Sequence, residues 1–89
     1  MAPLSPEEII FHNAAEAGKL KILISKLDKI NINSRDESDF QQTALHKAVW
    51  DGHIQVVQFL VRNGAEIDAK NQNDATPLYI AAQEGQLEV

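Results

Sequence analysis

Eighty-nine residues allow one small domain, and a chain this short buries only about 60% of the surface its unfolded form exposes, too little to enclose a large active site. A hydrophobic content of 44% with 24% charged residues indicates neither disorder nor a membrane protein, and thirteen acidic against eight basic residues give a net charge of −5 that repels nucleic-acid phosphates and anionic lipid. The absence of cysteine removes disulfides, thiolate metal sites and cysteine nucleophiles together, and suits a reducing compartment.

The chain opens on MAPLSPEEII, with no basic residue ahead of an apolar stretch and with Glu7 and Glu8 interrupting any signal-peptide core. No apolar run approaches the roughly 20 residues of a membrane span, and with no cysteine a cytoplasmic location is expected, with the nucleus and delivery into a host cell as the alternatives. Ser5-Pro6-Glu7-Glu8 reads as a capping box that starts a first helix. A second helix is predicted from Leu20 to about Leu27, with Lys21, Lys26 and Lys29 turned to water. Ile30 to Asp36 reads as an extended turn. From Asp36 to Thr43 the chain advances seven positions, whereas Asn71 to Thr76 advances five, so the first turn carries a two-residue insertion that includes Phe40.

The segment TALHKAVWDGH follows from Thr43, and a helix is predicted from Ile54 to about Arg62, with Ile54, Val57, Leu60 and Val61 at helical spacing and Asn63-Gly64 ending it. Gly64 to Asn71 is again an extended turn. Thr76 is placed to cap orphan amides, and Pro77 occupies the first helical position, where no N–H is needed. Leu78, Ala81 and Ala82 then offer a close-packing face up to a left-handed stop at Gly85.

These elements recur. TALHKAVWDGH from Thr43 matches TPLYIAAQEGQ from Thr76 at a period of 33, pairing Leu45 with Leu78, Ala48 with Ala81, Gly52 with Gly85 and Ile54 with Leu87. At a spacing of 34, His12, Ala14, Gly18, Leu20, Ile22 and Leu23 line up with His46, Ala48, Gly52, Ile54, Val56 and Val57. Helices below about 12–15 residues are marginal alone, so each pair has to bury a face on the next.

The T-P-L-H-x-A signature, present as TALHKA and TPLYIA, together with the period, the glycine stops and the apolar second helix, resembles the ankyrin repeat. That resemblance implies an all-α solenoid of helix-turn-helix units linked by β-turn fingers. One domain over 1–89 is expected, with a capping-type repeat over 5–35, a full repeat with a longer finger over 36–70 and a truncated repeat over 71–89. Asp74 stands where the family usually has glycine in the finger. The chain stops at Val89 before a second helix completes the third unit, so a segment of a longer array is expected, with an open apolar end around Ile54, Leu60 and Leu87.

No apparatus for catalysis or for a cofactor is visible. His46 fills the family's TALH position, where imidazole braces the neighbouring turn, and His12 aligns with it. His53 is expected to face solvent at a helix start, and no spacing joins the three as metal ligands. The serines lie outside any G-x-S-x-G motif and the glycines are isolated rather than clustered for phosphate. The carboxylate pairs Asp36 with Asp39 and Glu66 with Asp68 are expected in open turns with ordinary pKa values.

The resemblance therefore implies a non-enzymatic module that binds a partner protein through its fingers and the concave face of its first helices. By alignment that strip contains Glu16, Arg35, Glu37, Phe40, Gln42, Trp50, Asp51, Lys70, Gln72, Asn73, Gln83 and Glu84. Trp50 is the expected anchor, since buried aromatics dominate interface energies; alternatively it covers the inserted turn by packing on Phe40. Two further roles stay open: recognition segment of a longer, catalytic or effector protein, and self-assembly through the open end. The family also makes Asn33 a candidate for hydroxylation.

Overall fold

Three of the five described helices start where a side chain supplies a hydrogen-bond partner that the helix itself lacks. The computed structural model describes residues 3–83. Helix α1 (Pro6–Ala17) is capped by Ser5, whose hydroxyl accepts from Glu8 N at 3.1 Å while the Glu8 carboxylate accepts from Ser5 N at 3.1 Å. Helix α2 (Leu20–Lys26) runs on into a 3₁₀ turn, Leu27–Lys29. Helix α3 (Ala44–Trp50) repeats the capping box with an imidazole in place of a carboxylate: Thr43 Oγ1 accepts from His46 N at 3.3 Å, and His46 Nδ1 accepts from Thr43 N at 3.1 Å. Helix α4 covers Ile54–Arg62, and α5 (Pro77–Gln83) begins on the Thr76 hydroxyl, which accepts from Tyr79 N at 3.2 Å. Glu84, Gly85 and Leu87, predicted as a contact residue, a helix stop and an open-end residue, lie outside the described residues.

Helix α1 packs on α2 and α3, α3 packs on α4 and α5, and α2 meets α4. The odd-numbered helices thus form one row and α2 and α4 a second row behind it, which is the expected all-α solenoid. Phe11, Leu23, Leu45, Val49, Leu60 and Ile80 fill the space between rows, and Ala14, Ala15, Ala44, Ala48 and Ala81 let the helices approach closely. Leu60, expected at the open end, is instead fully buried, because it shares the inner face of α4 with Val56 and Val57. The exposed apolar residues there are Val61, Ile67 and Leu78. Leu78 is 71% exposed although its counterpart Leu45 is buried, since Leu45 lies under α4 of its own unit and no described helix follows α5.

The longer finger closes on a single antiparallel bridge between Asp36 and Gln42, and its extra residues Phe40 and Gln41 take left-handed conformations with φ of 56° and 58°. In the shorter finger Asn71 Oδ1 accepts from Asn73 N and Ala75 N, and Asp74 adopts φ 62° in the glycine position. Aspartate tolerates that conformation better than most residues, so the turn keeps its form. The two fingers are tied together: Gln72 N donates to Phe40 O at 2.7 Å, and Arg35 Nη1 donates to Gln41 O at 3.1 Å and to Lys70 O at 2.6 Å.

Candidate partner-binding cleft

Three histidines set the spacing of the row that carries the cleft. His46 is fully buried and spans from Thr43 to the next finger, with Nε2 donating to Ala75 O at 3.0 Å; a carbonyl can only accept, which fixes the proton on Nε2. His12 reaches Ser34 Oγ through Nε2 at 3.2 Å. Its Nδ1 has no partner, because the position matching the Thr43 cap is Ile9, within α1. Burial above all, and then the positive charge of Lys47, depress the His12 pKa to about 4, so the ring is neutral at pH 7.

His53 corrects the expectation of a solvent-facing residue. It is half-buried, and its Nε2 donates to Glu16 O at 2.8 Å, which holds the end of α1 against the start of α4. Gly18 makes this contact possible: it ends α1 with φ 74°, and a Cβ there would lie 2.7 Å from His53 Nδ1.

Lys47 was missed by motif reading, although a signal existed. The 33-residue period sets it opposite Ile80, a core residue, so its burial follows from the repeat itself. Its ammonium lies 2.8 Å from Asp36 Oδ2 and 3.9 Å from Asp39 Oδ2. Partial burial raises the Asp36 pKa, but hydrogen bonds from Lys47 and from Ser38 outweigh it and hold the carboxyl at about 2. The expected ordinary titration of Asp36 is thereby corrected: the finger base is an ion pair, not an open carboxylate. Glu66 and Asp68 are exposed, as expected.

The cleft lies between the fingers and the ends of α1 and α3, with a volume of about 360 Å³. It gathers Glu16, Phe40, Gln42, Trp50, Asp51 and Asn73 from the expected strip, together with Asp39, Lys47 and Asn71, which were not on it. Phe40 is 55% and Trp50 52% exposed, and both rings belong to the lining. Arg35 lies outside, occupied by the two finger carbonyls. Glu37 lines a separate hollow near Ile9 and His12. Lys70, Gln72 and Gln83 are exposed beyond the cleft, and Asn33 joins neighbouring units, its Oδ1 accepting from Glu66 N at 2.8 Å and its Nδ2 donating to Gly64 O at 3.2 Å. Among the described residues no group of three or more His, Asp or Glu is arranged to hold a metal ion. The cleft brings exposed aromatic surface, from Phe40 on a finger and Trp50 at the end of α3, beside the carboxylates of Glu16, Asp39 and Asp51.

A family profile described as "Ankyrin repeats (3 copies)" matches residues 11–89. Notch-regulated ankyrin repeat-containing protein A of Danio rerio is 34% identical over 90 residues, covering 96% of this chain and 79% of that protein. The Notch-regulated ankyrin repeat-containing protein of Xenopus tropicalis is 35% identical, covering 90% of this chain and 73% of that protein. Alpha-latroinsectotoxin-Lt1a of Latrodectus tredecimguttatus is 38% identical over 72 residues, of which this chain spans 5% of the toxin's length.

Proposed function

This chain belongs to the ankyrin-repeat family, and from that premise we propose that it is a non-enzymatic module binding a partner protein in the cleft between its fingers and the ends of α1 and α3. Ankyrin repeats in general are protein–protein interaction modules. The observation that carries the assignment to this cleft is the half-exposed pair of Trp50, the last residue of α3, and Phe40, on a finger already tied to its neighbour, since rigid aromatic surface loses little entropy on binding. The domain is read as units 5–35, 36–70 and 71–89, and the cysteine-free composition supports a cytoplasmic setting.

The test is capture of partners from source cells with the wild type and Trp50→Ala side by side. The variant should lose about 2 kcal/mol or more of binding with its far-ultraviolet spectrum intact. Unchanged binding excludes the cleft, and loss of helicity assigns Trp50 to packing. A second reading is favoured by the small share of the spider toxin that this chain spans: a recognition segment of a longer protein, for which the intact mass of the native product decides.

A further inference from the structure

The walls of the cleft are chemically one-sided. Glu16, Asp39 and Asp51 line it together with the half-exposed aromatic side chains of Phe40 and Trp50. Lys47, the single cation among the described lining residues, is 5% exposed and directs its ammonium at Asp36, 2.8 Å away, with Asp39 at 3.9 Å, so the charge that faces an occupant comes chiefly from Glu16 and Asp51. The chain as a whole carries −5.

Resting on the reading of this cleft as a protein-binding site, the geometry points to a cationic side chain of a basic partner segment, arginine ahead of lysine, as its occupant. An aliphatic side chain would strip water from the carboxylates without replacing its hydrogen bonds, and an acidic one would add repulsion. A cation gains twice, from the carboxylates and from the negative face of an aromatic ring. Arginine is placed first because its planar guanidinium stacks on a ring while its separate N–H groups reach more than one carboxylate. At about 360 Å³ the cleft takes one such side chain with its flanking backbone.

The experiment uses the full chain and a positional-scanning decapeptide library with one natural residue fixed at the centre of each pool. Binding is read from the amide shifts of Asp51 and Asn73, and in the wild type from the fluorescence of Trp50, the chain's only tryptophan. The arginine pool should bind tightest, lysine next, with roughly a fivefold or larger gap to the leucine and glutamate pools. That gap should narrow from about 50 to about 300 mM salt. Trp50→Leu, and separately Glu16→Gln with Asp51→Asn, should abolish the preference with helicity retained. Tighter binding of a leucine or glutamate pool, lost in Trp50→Leu, overturns the cationic occupant and leaves the cleft a binding site. Arginine-pool binding that survives both variants at full strength overturns it by placing the peptide elsewhere. No saturable response to any pool overturns both this inference and the function on which it rests.

Discussion

Replacing Gly18 by alanine perturbs one contact whose cost can be worked out from its geometry. The added methyl faces two penalties. The first is backbone conformation: at φ 74° an L-residue pays about 1–2 kcal/mol. The second is displacement of His53, whose Nδ1, Cε1 and Cγ would lie 2.7, 2.9 and 3.1 Å from the new carbon, forfeiting the 2.8 Å bond to Glu16 O, worth about 1 kcal/mol. Gly18→Ala is therefore expected to lose about 2–3 kcal/mol. Gly64→Ala is the internal control, because Gly64 also has positive φ, 96°, yet nothing lies within 4 Å of its would-be Cβ, so only the backbone cost of about 1–2 kcal/mol applies. An 89-residue domain has roughly 4–13 kcal/mol to lose, so both variants should still fold. Urea and thermal melts followed by circular dichroism measure the pair, and the melting temperature should fall by roughly 10–20 °C for Gly18→Ala and by a smaller step of roughly 5–10 °C for Gly64→Ala. Equal losses would refute the role given to the His53 contact, as would a gap between the two that persists in a His53→Ala background.

Acidification should destabilise the fold in two steps. The folded pKa of His12 is depressed from 6.5 to about 4, so the unfolded chain binds protons more readily and stability falls as pH drops through that window; Asp36, depressed from 3.8 to about 2, adds a second loss below it. The urea midpoint tracked from pH 7 to 2 should show both, and an unchanged slope above pH 4 in His12→Leu would count against the first. Lys47→Met strands the Asp36 carboxylate and should cost about 2 kcal/mol or more, with the Asp36 pKa rising in a carboxyl-carbon titration, whereas adding Asp36→Asn should recover much of the loss. Gln41→Gly should stabilise by about 0.5–1 kcal/mol in the same melts, since it relieves φ 58° and removes a buried amide oxygen that has no partner. Asp74→Gly should gain less, because aspartate already tolerates its φ of 62°.

Local chemistry made the helices legible. Ser5-Pro6-Glu7-Glu8, Thr43, Thr76-Pro77 and Gly64 announce starts and stops within a few residues of themselves, and the predicted span Ile54 to Arg62 is that of α4. The gathering of Trp50, Phe40 and Glu16 at one cleft could be approached by alignment, because a solenoid repeats its geometry along with its sequence. Arg35, Lys47 and His53 were not legible in the same way. The partners of Arg35 and His53, Lys70 and Glu16, lie 35 and 37 residues away, at separations set by how one unit seats on the next, and Lys47 meets Asp36 11 residues away within its own unit, where the finger folds back on the helix it precedes. Leu60 was misassigned for a related reason: a helical stripe wide enough to include both Leu60 and Val61 does not say where its boundary with water falls.

The guanidinium that grips the carbonyls of Gln41 and Lys70 makes two adjacent turns one mechanical part. A ligand pressing on either tip meets the stiffness of both, so surface loops that would ordinarily have to be immobilised at the moment of contact arrive already set. Cutting that grip, as in Arg35→Met, would then slow no encounter but would shorten the lifetime of whatever complex forms, a signature confined to the dissociation rate.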